Sequence, residues 1–274
     1  MKYGFTLPQG DARTAAALAR EAEIAGWDGF FVWEPVWGID PWVSLAAAAM
    51  VTQHIRLGTM VTPVSRRRPW KLASETATLD HLSGGRVILS VGLGAIDTGF
   101  AAFGEETDRR QRAQLLDEGL AIVTGLWQGQ PFRFNGTHYQ VQPTEFMPPP
   151  PPVQQPRIPI WVVGAWPRPR SMQRALRWDG ILPAIMTPEG GFVLPTPADV
   201  QAIAAYAAAH RPGDATPLEI VLEGETPGDD PGRAASIITP LAAAGMTWWI
   251  ETMWSMPPLE EVRRRIRQGP PRPG

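Results

Sequence analysis

The stretch GFFVWEPVWG, residues 29–38, sets a single carboxylate, Glu34, among four aromatic side chains. Phe31, Trp33 and Trp37 fall on alternate positions, so an extended chain turns them toward one side. A carboxyl group held between indoles is poorly solvated, which raises its pKa unless an arginine compensates. A raised pKa would let Glu34 give a hydrogen bond or a proton near neutral pH. The plainer alternative is an ionised glutamate that caps a loop. Pro35 biases Glu34 to an extended conformation and offers no donor of its own.

Two other groupings have chemical content. VVGAWPRPRSMQRALRWDG (162–180) reads as strand, glycine turn and helix, with Arg168, Arg170 and Ser171 where the helix begins. Free N–H groups at a helix start, beside arginines, are a natural seat for a phosphate. RRRPWK (66–71) is a second basic cluster, which reads as a solvated loop unless a ligand carries an anionic tail. No metal site is expected. The chain has no cysteine, and its four histidines, His54, His81, His138 and His210, show no ligand spacing.

The elements that must position these groups alternate along the chain. Apolar runs at 2–8, 29–33, 55–63, 86–94, 158–166, 180–185, 218–225 and 247–254 read as strands buried on both faces. Amphipathic segments between them, such as TAAALAREAEIAG (14–26), read as helices. Eight strands and eight helices in order fit an α/β fold, a closed (β/α)8 TIM barrel formed by one domain over 1–274. An insertion at about 131–157 separates strands four and five. PFRFNGTHYQV (131–141) reads as a hairpin with an Asn-Gly turn, and MPPPPPVQQPRIP (147–159) as an extended strap rather than an adaptor ligand.

In such a barrel the active site lies at the carboxyl ends of the strands. That ordering makes LSGGR (82–86), which precedes strand four, a structural turn. It gathers Trp33, Trp37, Trp166, Met186 and Trp254 at one rim, a wall suited to a flat apolar molecule. Carboxylates near strand ends, Glu251, Glu223 and Asp97, are further acid candidates, each balanced by a reading in which it pairs with a rim arginine.

Hydrophobic residues make up 44% and charged ones 19%, enough apolar content for a sizeable core. A formal charge of −2 gives no reason to expect nucleic acid or an anionic membrane as partner. No secretory leader and no run of about 20 apolar residues is visible, so a cytoplasmic protein is expected.

The run DGFFVWEP…DPWVSLAAAAMVTQHIRLGTMVTPVSRRRPWKLASETATLDHLSGGRVILSVGLGA resembles the bacterial luciferase-like monooxygenase superfamily, as does IPIWVVGAW…RWDG. The resemblance implies a barrel that binds FMN or coenzyme F420, acts on a small, largely apolar organic molecule, and forms a homodimer. It implies a ring lying over Met60–Val61, where relatives hold a non-proline cis peptide. It places Thr62, Leu93, Gly94 and Ala95 near the ring or ribityl chain, and Gly164, Ala165, Arg170 and Ser171 around the phosphate. Relatives carry histidine where this chain has Pro35, and some carry glutamate at Ala95. Glu34 and Glu251 are therefore the acids expected to act. The alternative is a non-catalytic flavin-binding protein on the same barrel.

Overall fold

The structure is a computed structural model, and residues 1–145, 150–187, 192–213 and 215–272 are described. Eight of the apolar runs become parallel strands that close on themselves. Around the barrel they are β1 (Lys2–Leu7), β2 (Gly29–Val32), β3 (Arg56–Thr59), β5 (Val87–Gly92), β8 (Ile160–Trp166), β9 (Gly180–Met186), β11 (Glu219–Gly224) and β12 (Trp248–Glu251). β12 pairs with β1 and so shuts the circuit. The run at 55–63 is interrupted rather than continuous: β3 ends at Thr59, and a short β4 (Thr62–Pro63) resumes pairing with β5.

Between the strands lie α1 (Ala12–Ile24), α2 (Pro41–Ala49), α3 (Pro69–Ser83), α4 (Arg109–Gln128), α5 (Pro169–Ala175), α6 (Pro197–His210), α7 (Pro231–Ala243) and α8 (Leu259–Arg267). Their starts are chemically marked. Asp11, Asp40, Asp108 and Asp230 each accept a backbone N–H of the first turn, and Thr196 with Asp199 forms a capping box. The LSGGR turn closes α3 with Gly84 at φ +67°, a conformation that favours glycine. Arg86 of the same motif is buried and donates to the carbonyls of Ala49, Thr52, Ser83 and Ile55.

Strand alternation divides the core into two layers. Phe5, Leu7, Leu57, Leu89, Val162 and Trp249 face the helices. Phe31, Met60, Ile88, Trp161, Leu182, Val221, Trp248 and Ile250 fill the barrel interior. Gly29 makes room for the interior ring of Phe31, since a Cβ there would stand 2.7 Å from its Cε2.

The expected insertion begins with the hairpin β6 (Phe132–Asn135) and β7 (Gln140–Thr144). Glu118 of α4 pins its tip, accepting from the N–H groups of Thr137, His138 and Tyr139 at 2.7, 3.0 and 3.0 Å. Part of the strap, residues 146–149, lies outside the described residues. Its later part is anchored at the amino-terminal end of the barrel, where Gln154 donates to Asp80 at 2.7 Å and to the Val87 carbonyl at 2.8 Å. The apolar pattern did not mark β10 (Phe192–Val193), which runs antiparallel to the end of β9. Among the described residues, no helix is long and apolar enough to cross a membrane.

Candidate functional site

Alternation also decides what reaches the mouth of the barrel. On one side stand small side chains and an unusual backbone. The Met60–Val61 bond is cis and not followed by proline. Met60 is buried in the interior layer with Val61 and Val163 packed beside it. A Cβ at Gly92 would come within 2.9 Å of Val163 and 3.1 Å of Val61, so glycine is what lets these strands approach. Ala165 and Ala184 lie opposite each other on β8 and β9, on the inward register. Across the mouth the wall is aromatic: Trp33 meets Trp254 edge to face, with ring centroids 6.0 Å apart. Small residues on β5, β8 and β9 together with the indoles of Trp33 and Trp254 are surroundings suited to a flat ring system.

The interior also holds unused polar atoms. The hydroxyls of Thr6 and Ser90, on the inward register of β1 and β5, are buried without a hydrogen-bond partner. Buried polar groups are ordinarily satisfied, so these atoms fit a site that receives polar atoms from a bound molecule or from water.

The proposed phosphate side is built from α4 and α5. Ala165 donates its N–H to the Ser171 hydroxyl at 2.9 Å, which leaves the hydroxyl proton free to face a ligand. Arg112, buried at 5% exposure, donates to the carbonyls of Leu93 and Gly94 at 2.7 and 3.1 Å and so shapes the loop after β5. Partial burial, then the charges of Arg168, Arg112 and Arg174, hold the Arg109 guanidinium below its ordinary pKa. A cluster of like charges of this kind is relieved by an anion. Arg174 is already bound to Asp117 at 2.7 Å, whereas Arg109 and Arg168 are exposed and stand open to an anion such as a phosphate. Arg109 was not singled out from sequence, since its role depends on α4 and α5 meeting in space. Arg170 is exposed.

Several expected site residues are placed elsewhere. Glu34 does not face the mouth. One step beyond inward-facing Trp33, it turns outward and is buried at 3% exposure. Its Oε1 accepts from Arg67 Nε at 2.8 Å and its Oε2 from the Thr62 hydroxyl at 2.7 Å. The carboxylate is paired with an arginine and braces the chain behind the cis peptide. The Thr62 hydroxyl is bonded to Glu34 and also lies 2.9 Å from Thr59 Oγ1.

Glu251 is likewise outward, in step with Trp249 of the helix-facing layer. It accepts from Thr226 N and Oγ1 at 2.7 Å each, from the Trp249 indole at 3.0 Å and from Arg265 at 3.2 Å. Trp166 also leaves the pocket wall, packing edge to face against Tyr206 of α6 at 5.6 Å. Trp37 is 84% exposed and reaches into solvent. Ala95 is exposed and Leu93 leans on the helix-facing core. Asp97 sits in an exposed turn.

Among the described residues, strand parity turns one of the carboxylates named from sequence, Glu223, toward the mouth. Glu223 follows Val221 on the inward register of β11. Burial pushes its pKa up, with a hydrogen bond from the Trp254 side chain in partial opposition. Parity along β11 was the signal that could have ranked it above Glu251.

A parallel eight-stranded barrel with its inward-facing residues gathered at the carboxyl-terminal mouth defines a class that many enzymes share. The profile of the luciferase-like monooxygenase family matches residues 4–226, and the chain belongs to that family. An uncharacterised protein of Mycobacterium tuberculosis is 36% identical over 190 residues, 60% of this chain and 65% of that one. An F420-dependent glucose-6-phosphate dehydrogenase of Amycolatopsis mediterranei is 31% identical over 175 residues, 60% of this chain and 51% of that one. The chain thus spans less than two thirds of the length of these relatives. The monooxygenase RslO1 from Streptomyces bottropensis has the same fold, with a TM-score of 0.76 at 22% identity over 98% of this chain and 97% of that one.

Proposed function

We propose that the chain is an oxidoreductase that binds FMN or F420 at the barrel mouth and acts on a small, largely apolar organic substrate. The observation that carries this reading is the inward register at the carboxyl end of the barrel, which gathers Val61, the small residues of β5, β8 and β9 and the Trp33–Trp254 pair. When bound, the flavin or deazaflavin supplies the two-electron chemistry. The chain's own residues bind and orient. Val61, Gly92 and Val163 offer a flat apolar support, and the tryptophans shield the opposite side from water. Ser171, Arg109 and Arg168 hold a phosphate.

Separate titrations of FMN and F420 into the apo-protein test the reading, followed by the change in cofactor fluorescence. Saturable binding of one of them is expected. Ala165→Asp should abolish it, since a carboxylate on the inward register meets the phosphate with like charge. Unchanged affinity in that variant would put the phosphate elsewhere. Oxidation of the reduced cofactor that no organic substrate accelerates would favour a binding protein over an enzyme.

A further inference from the structure

Glu223 is half-buried, in a setting unlike that of the buried glutamates. Glu34 and Glu251 each hold an arginine, at 2.8 and 3.2 Å. Glu223 stands on the inward register of β11, beside Ile250 of β12 in the pairing. The Trp254 side chain, packed against Trp33 in the aromatic wall, lies close enough to oppose the rise in its pKa. Among the described residues, the neighbouring strands bring no compensating charge. β12 turns Trp248 and Ile250 inward, and β9 turns Leu182 and Ala184 inward. The charged groups of these elements lie away from it. Glu219 sits at the far end of β11, 3.9 Å from Lys2, and Glu251 faces the helices with Arg265. Part of the Glu223 surface stays exposed. A carboxyl group in an apolar wall, without a cation, keeps its proton at pH values where an exposed glutamate has lost it.

We propose that Glu223 is the proton-holding group of this site, donating a hydrogen bond, and in turnover its proton, to the oxygen of a neutral carbonyl substrate. This rests on the oxidoreductase reading above. In the reducing direction the carbonyl carbon gains a hydride, whose two electrons come from the reduced flavin or deazaflavin. The carbonyl π bond becomes a lone pair on oxygen, and that oxygen takes the Glu223 proton. The products are an alcohol, oxidised cofactor and a Glu223 carboxylate, which regains a proton from solvent through its open edge. A neutral acceptor is favoured over an anion because the wall around Glu223 is indole and aliphatic, with no cation to receive a charge.

Glu223→Gln keeps the shape and removes the ionisation. In the apo-protein, the infrared band of a protonated carboxyl should persist at neutral pH and vanish in the variant. Stability gives a second readout. The folded chain retains a proton that the unfolded chain releases, so Glu223 lowers stability as pH rises above its ordinary value of 4.5. The melting temperatures of parent and variant should coincide below that value, and the variant's should become the higher above it. With a small aldehyde or ketone, kcat of the variant should fall by roughly 10²-fold, and the parent's loss of rate with rising pH should disappear. Cofactor affinity should not change. Trp254→Phe, which removes the opposing hydrogen bond, should move the infrared titration to higher pH. Absence of the band at neutral pH, coincident melting curves across the range, or turnover equal to the parent's would overturn the proposal. A persistent band in a chain that binds neither FMN nor F420 would instead overturn the oxidoreductase reading and the catalytic step with it, leaving only the protonated carboxyl.

Discussion

Arg67 stands between two acids. Its Nε meets Glu34 at 2.8 Å and its Nη1 lies 3.6 Å from Glu75. Burial works to lower the Arg67 pKa, but the adjacent Glu34 charge and hydrogen bond outweigh it, and the pKa is raised. Burial likewise pushes Glu75 up, and Arg67 draws it back. Removing the arginine leaves Glu34, only 2% exposed in its side chain, without a cation. Breaking a buried pair by deleting one partner costs about 3–5 kcal/mol, and Arg67 is partly solvated, so the lower end applies. Arg67→Ala should therefore lower unfolding free energy by roughly 3 kcal/mol, read from urea denaturation. A loss under about 1 kcal/mol would show that the pair behaves as a surface bridge. Glu34 was conspicuous in the sequence because of its aromatic neighbours, but its partners were not. Thr62 and Arg67 are 28 and 33 residues away and meet it only through the pairing of β2 with β3 and the start of α3.

At the scale of elements, most of the fold was legible. Parallel strands buried on both faces leave nearly unbroken apolar runs, and the aspartates before α1, α2 and α4 announce helix starts. What position along a strand could not give was the side to which a strand-end residue points. Glu34, Trp166 and Glu251 all lie at the correct end of the barrel, yet one step of parity sends each of them outward. Trp33, Ala165 and Glu223 take the inward steps. The register could be counted from neighbouring apolar residues, but in strands buried on both faces the two parities look alike, so composition does not label them. Glu251 shows what the outward step is for. With Thr226 and Arg265 it ties β12 to α8, the last strand to the last helix. Glu251→Ala strands Arg265, whose side chain is 7% exposed, without its counter-charge. A loss of about 3–5 kcal/mol in stability is expected, with cofactor affinity unchanged. A variant that keeps its stability but loses turnover would return Glu251 to the active site.

At the scale of the whole molecule, the site exists only when the barrel is closed. Its parts come from β2, β3, β5, β8, β9, β11 and the loop after β12, and they span the chain from Trp33 to Trp254. An unfolded chain presents none of these groups together, so a cofactor that binds the mouth binds the folded state alone. Its binding free energy then adds to stability by mass action, about 2.7 kcal/mol at a free concentration 100 times Kd. Melting temperature should rise with cofactor concentration, logarithmically and without a plateau, for whichever of FMN and F420 belongs to the site. Riboflavin, which has the ring and lacks the phosphate, separates the two halves of the site. If Ser171, Arg109 and Arg168 hold the phosphate, riboflavin should stabilise the protein much less than FMN at equal concentration, and added salt should narrow the gap by screening the arginines. Equal stabilisation by riboflavin and FMN would mean that the ring bed at Met60–Val61 supplies all the affinity and that the arginine cluster serves another purpose.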